Sequence, residues 1–297
     1  MQLVPRNKID TDKWNSKVAA SKTENVFLYS WYLDAVCKNW SALIVGDYKT
    51  ILPIPFTKKL GVKQFIQAPF TREYDILGND FTWTQVIEFL AANFKSLHFR
   101  NHHENLVIPQ KGFVTKIRKH QWLNLSGDFT SNYSTNAKRI LKKNTDYSVA
   151  VATDTTIVLK LFIEHVAHKI ETISSEDLLR LKKLMRIALA ENKGELLVVK
   201  KQNKIVGAGF FLLDKKRVTY LKGAAIDEDK KNGAMYVLMD QAMQRYSFKF
   251  KTFDFGGSEI ATVATFYHKF GATDRVYNDY SVSDLPYWFK ALKKIKR

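Results

Sequence analysis

The apolar positions of the stretch 82–95 recur at helical spacing: Trp83, Val86, Ile87, Leu90 and Phe94 fall on one face and predict a helix. Ahead of it, 41–45 and 50–55 read as short strands around Gly46-Asp47, a hairpin signal, and 62–68 continues the strand-rich stretch. Behind it, 96–100, 106–108 and 114–125 are further strand candidates. From Ser131 the pattern changes, with Tyr133, Ala137, Ile140 and Leu141 on one helical face and Lys138, Arg139, Lys142 and Lys143 on its flanks. That is a basic amphipathic helix, followed by a strand at 147–152.

The second half opens with a helix at 155–171, then Ser174-Ser175-Glu176-Asp177 as an N-cap segment for another. In that helix Leu178, Leu181, Leu184, Met185 and Ala188 form a stripe running to the stop signal Asn192-Lys193-Gly194. Strands at 195–200, 205–213 and 217–226, joined at Gln202-Asn203 and Asp214-Lys215-Lys216, predict an antiparallel meander. A helix at 233–248, a strand at 252–255, a helix at 261–270 and a strand at 275–282 complete the order. The expected class is α/β (α+β), and a chain of 297 residues suits two domains, 1–150 and 151–282, with a basic aromatic tail at 283–297 packing back on the first.

Composition changes this picture mainly through charge. The 47 Lys and Arg face 29 Asp and Glu, an excess of +18 that implies an anionic partner such as a phosphorylated cofactor, nucleic acid or a membrane surface. Cys37 is the only cysteine, so neither an intramolecular disulfide nor a cysteine metal cluster is expected. Residues 1–12 are too polar for a secretory signal, and no apolar run approaches the ~20 residues that span a bilayer, which favours a cytoplasmic protein. Two His groupings, His98, His102 and His103 with Glu104, and Glu164, His165 and His168, fit no recognised zinc spacing, so no metal is expected.

Chemistry is expected where the third meander strand enters the next helix, because a helix N-terminus offers free N–H groups and a positive dipole end to an anion. The candidates for holding a cofactor there are Lys222, Gly223, Ala224 and Ala225 on the strand, and Lys230, Lys231, Asn232, Gly233 and Ala234 after it. The acids at 227–229 oppose that reading electrostatically. Asp254-Phe255-Gly256-Gly257-Ser258 closes the next strand; its paired glycines let a substrate pass close to the backbone, and no kinase motif accompanies it.

The order helix, helix, three antiparallel strands, helix, strand, helix, strand resembles the GNAT superfamily of acyltransferases. So does Ala264-Thr265-Phe266-Tyr267-His268-Lys269-Phe270-Gly271, in which a Phe-Tyr pair ends a helix just before a Gly. The resemblance implies acyl-CoA as donor, with Tyr267 giving a proton to the departing thiolate. Asn232-Gly233-Ala234, 253–258, 266–271, Ile66-Gln67-Ala68-Pro69-Phe70-Thr71 and Tyr133 to Arg139 together resemble the Fem family and its acetyltransferase relatives, which fuse two GNAT-like domains. Fem enzymes transfer amino acids from aminoacyl-tRNA to peptidoglycan precursors and generally have Phe-Lys where this chain has Phe266-Tyr267.

The leading expectation is therefore N-acyl transfer from acyl-CoA to an amine on an anionic acceptor, with donor and catalytic groups in the C-terminal half and the acceptor side in the N-terminal half. Strand N–H groups around 222–225 would stabilise the oxyanion, and Glu259 and Asp254 are candidate bases. Arg72, Tyr133, Lys138, Arg139, Gly256, Gly257 and Ser258 are candidate acceptor-binding residues. Two alternatives stand beside it: a Fem-type transferase using aminoacyl-tRNA on a cell-wall precursor, and a non-catalytic module binding polyanion or membrane through the basic helix and tail.

Overall fold

The computed structural model describes residues 2–22, 24–102, 112–167, 173–257 and 259–289. It is a mixed α/β fold in which mostly antiparallel strands are flanked by helices. The chain divides into two compact units, one formed by residues up to Arg118 together with those from Val276 on, the other by Lys119–Arg275.

The first unit begins with strand β1 (Gln2–Pro5), helices α1 (Thr11–Ala20) and α2 (Ser30–Val36), and strands β2 (Asn39–Val45), β3 (Thr50–Lys59) and β4 (Val62–Phe65). Helix α3 (Trp83–Asn93) and strand β5 (Ser96–His102) follow. Strands β1 to β4 pair antiparallel in sequence order, and β4 meets β5 in parallel at Phe65 and Leu97. A capping box at Thr82 and Gln85 fixes the start of α3. Its Trp83 stacks on Phe99 of β5 with ring centroids 5.1 Å apart. The strand candidate at 106–108 lies outside the described residues.

The second unit contains most of β6 (Val114–Asn124), then α4 (Thr135–Lys143), β7 (Tyr147–Ala152), α5 (Thr156–His165) and α6 (Ser175–Ala190). The meander β8 (Gly194–Lys201), β9 (Lys204–Leu213) and β10 (Arg217–Ala225) follows. Then come helices α7 (Asp227–Asn232) and α8 (Ala234–Ser247), strand β11 (Thr252–Asp254) and helix α9 (Ala261–His268). Its strand order is β6-β11-β10-β9-β8-β7, antiparallel except for the β10/β11 pair. The last strand, β12 (Thr273–Ser283), enters the first unit at Val276 and pairs antiparallel with β5.

The division thus falls at residue 119 and not near 150. Leu123, Leu125, Phe129, Tyr133, Ala137 and Tyr147 explain it, since they are buried in the same cluster as Leu238, Met239 and Phe253 of the second unit. After β12, Leu285 and Phe289 bury themselves with Val62 of the first unit; residues 290–297 of the tail lie outside the described residues.

Candidate active site

Strands β10 and β11 run side by side only from Arg217 to Thr219 against Thr252 to Asp254. Beyond that point two local features drive them apart. In β10 the register with β9 slips between Tyr220 and Lys222, leaving Leu221 as the extra residue of a bulge. In the chain after β11, Phe255 keeps bonding toward β6, its N–H donating to the Gln121 carbonyl at 2.9 Å. Gly256 then turns away at φ 80°, its N–H held by the Asp254 carboxylate at 2.9 Å. A Cβ on Gly256 would stand 2.4 Å from the Tyr220 carbonyl oxygen, so only glycine fits this close approach.

A cavity of about 550 Å³ opens where the strands diverge. Tyr220 to Ala225 form one wall, Met235, Tyr236 and Met239 of α8 a second, and Phe255 to Gly257 with Val263, Phe266 and Tyr267 a third, while Phe162 of α5 closes one side. These walls are chiefly apolar and aromatic. Among the described lining residues the charged groups are Lys222 and Lys230, and there is no carboxylate.

Tyr267 sits near the end of α9 with its ring stacked on Phe255, centroids 4.7 Å apart. Burial, and secondarily the charge of Asp254, push its hydroxyl well above the ordinary phenol range. Among the described residues the hydroxyl makes no hydrogen bond. Burial likewise raises Tyr220, with Tyr267 as the smaller cause. Lys222 is half-buried with its ammonium 4.8 Å from the Phe162 ring centroid, and desolvation pulls its pKa below the ordinary lysine value.

The cavity brings together Lys222, Gly223, Ala224, Ala225, Lys230, Gly256, Gly257 and Tyr267, each expected from sequence at a functional site. Other candidates lie elsewhere. Lys231, Asn232, Gly233 and Ala234 do not line it, because 227–232 forms α7, an extra turn of helix. Asp227, Glu228 and Asp229 are the first-turn acids of that helix, where its dipole favours them. Gly233, at φ 108°, joins α7 to α8 and faces α4: a Cβ there would stand 2.6 Å from Ile140 Cγ2. Lys231 and Asn232 border a separate depression of about 630 Å³, together with Arg139, Lys143 and Lys201.

Of the proposed bases, Asp254 is 1% exposed, holds Gly256 and lies 3.8 Å from the Arg217 guanidinium, whereas Glu259 is exposed and outside the lining. Asp254 thus holds the turn at the strand end. Tyr133 is buried and donates to Asp240 at 3.1 Å, so it fixes α4 to α8. Lys138 and Arg139 are exposed on α4, bonded to the Ser131 carbonyl and to Asn136. Arg72 belongs to the first unit, buried with Glu73 and 5.5 Å from the Phe27 ring. Ser258 lies outside the described residues, as do His103, Glu104 and His168. His98 bonds to Asp279 and His165 to Asp227, and no cluster of metal-binding side chains is present among the described residues.

Sequence reasoning missed Phe162, Tyr220, Tyr236 and Phe255 as lining residues. The bulge at Leu221 has no single-sequence signature, and it decides which side chains of β10 face the opening.

Residues 131–269 match the model of an acetyltransferase (GNAT) domain. A search of curated proteins finds no match. Among solved structures, FemX is similar at 10% identity, with 94% of this chain and 97% of that one covered and a TM-score of 0.65. The C-terminal domain of a putative lysylphosphatidylglycerol synthetase from Agrobacterium fabrum follows at 11% identity, with 93% and 92% coverage and a TM-score of 0.58. A tandem GNAT protein from the clavulanic acid biosynthesis pathway is similar at 10% identity, with 96% and 99% coverage and a TM-score of 0.54. Among the described residues no helix is long and apolar enough to cross a membrane. The domain match over 131–269 and the similarity along the chain agree: this protein has the GNAT acyltransferase fold.

Proposed function

We propose that the protein transfers an acyl group from acyl-CoA to an amine, with the donor thioester seated where β10 and β11 diverge. The observation that carries this reading is the Tyr267 hydroxyl in an apolar cavity against the unpaired edge of β10. Ile226 donates its N–H to Val206 of β9, and the regular alternation of β10 beyond the bulge turns the N–H groups of Gly223 and Ala225 to the opposite edge, which is open among the described residues. A thioester carbonyl lying along that edge would meet preset donors. Lys230, exposed at the rim, suits the phosphate-bearing portion of the donor. In this reading each compact unit is a GNAT-like domain, the second handling the donor and the first belonging to the acceptor side.

Attack of the amine nitrogen on the thioester carbon forms the C–N bond and an oxyanion; collapse breaks the C–S bond and releases a thiolate. Tyr267 acts on that thiolate as a hydrogen-bond donor. Burial has raised its pKa above the ordinary ~10, and a thiol's is ~8.5, so complete proton transfer to sulfur is uphill. With no carboxylate among the described lining residues, the proton lost by the amine passes to water.

The test is calorimetric titration of the protein with acetyl-CoA and longer acyl-CoAs, beside a Lys230→Ala variant. Binding that weakens in the variant supports the reading; no binding of any acyl-CoA overturns it and leaves the aminoacyl-tRNA donor implied by the Fem resemblance.

A further inference from the structure

The bulge at Leu221 does more than separate β10 from β11. In an unbroken strand Tyr220 and Lys222, two apart, would share a face. The inserted residue puts them on opposite faces: Tyr220 packs at 5.5 Å against Phe211 in the core, and Lys222 swings toward α5, over Phe162. The fold thus delivers one ammonium into an otherwise apolar recess.

That placement costs free energy, since an ammonium taken from water without a counter-charge is disfavoured, and the Phe162 ring offsets only some of it. Lys222 gives no return in stability: among the described residues it forms no hydrogen bond or ion pair, and no carboxylate lines the cavity. Its lowered pKa has the same origin, desolvation by burial. What is missing is a negative group on whatever enters. The single charge of Lys222 balances a carboxylate in full, whereas a doubly charged phosphate would keep half its charge uncompensated against these apolar walls.

We infer that Lys222 receives a carboxylate carried by the molecule that fills this cavity, either at the far end of the transferred acyl group or on the amine acceptor. This rests on the acyl-transfer reading above and narrows it to a substrate class.

Two arms separate the sources. In the first, acetyl-CoA and succinyl-CoA, which differ by a terminal carboxylate arm, are titrated into the wild-type protein, Lys222→Met and Lys222→Arg. In the second, free amino acids and their amides are compared as acceptors by release of the CoA thiol. The expected result is a preference of at least about tenfold for the carboxylated member in one arm, the size of one charge-assisted hydrogen bond. That preference falls to near unity in Lys222→Met and persists in Lys222→Arg, whose retained charge controls for packing. Equal use of both members in both arms, or a preference that survives Lys222→Met, overturns the inference while leaving acyl transfer standing. Absence of binding by every acyl-CoA removes both.

Discussion

At Tyr267 two properties meet that ordinary core tyrosines do not combine: a ring locked by stacking on Phe255, and a hydroxyl that bonds to none of the described residues. Replacing it by Phe keeps the stack and removes only the hydroxyl. We expect kcat to fall roughly tenfold to a hundredfold in Tyr267→Phe, with the melting temperature unchanged. Because burial holds the phenol protonated beyond the ordinary ~10, any loss of activity on the alkaline side below that pH belongs to another group and persists in the variant. An alkaline limb that vanishes with Tyr267→Phe would contradict the assigned role. A second residue-scale expectation concerns Asp279 in the first unit, which meets His98 at 3.0 Å, Arg100 at 2.9 Å and Arg118. Burial works to raise its pKa, but hydrogen bonds from these three groups overcome it and hold the carboxylate well below the usual range. A depressed folded value means the stabilisation is complete above the unfolded ~3.9 and is lost as pH falls through the folded value. Asp279→Asn should therefore cost about 3 kcal/mol at neutral pH and flatten the acid dependence of urea denaturation below pH ~4. Equal stability of the two proteins at pH 7 would show that the cluster is only a surface ion pair.

At the scale of elements, the meander and the helices around it follow from period and punctuation, and the strands β8 to β10 stand within a residue or two of the expected ranges. What periodicity does not report is a local insertion. The bulge at Leu221 reverses the facing of Lys222, and α7 occupies the space where a short turn was expected. The acids at 227–229 form the first turn of α7, where the sequence alone suggested an anion-binding turn, and the two arrangements place Gly233 differently. A Cβ on Gly233 would run into Ile140 and Asn144, so the residue lies close against α4. With φ at 108° and a Cβ 2.6 Å from Ile140 Cγ2, Gly233→Ala is expected to destabilise the protein by about 1–3 kcal/mol. Acyl-CoA affinity of the folded fraction should hardly change. Normal stability with lost affinity would return Gly233 to the ligand. Cavity-lining residues borne by contiguous sequence, such as 222–225, were named as candidates from the chain alone; those brought in from α5 and α8 carried no signal beyond being apolar on a helix.

For the molecule as a whole, the excess of +18 fits a phosphorylated donor and a nucleic-acid donor equally well, and its distribution is what separates them. Arg139, Lys143, Lys201 and Lys231 gather around one depression, Lys182, Lys183 and Arg186 along α6, and the cavity itself holds only Lys222 and Lys230 among its described lining residues. A coenzyme bound in the cavity engages few cations, whereas RNA lying on the surface engages many and releases a counterion for each. Raising salt from 50 to 200 mM should therefore weaken acyl-CoA binding only a few-fold and weaken RNA retention more than tenfold. Turnover with acyl-CoA should survive ribonuclease treatment unchanged. If turnover instead requires charged tRNA, disappears with ribonuclease and shares the steep salt dependence of RNA binding, then the surface cations carry the donor, and the cavity beside Tyr267 takes only the end of it.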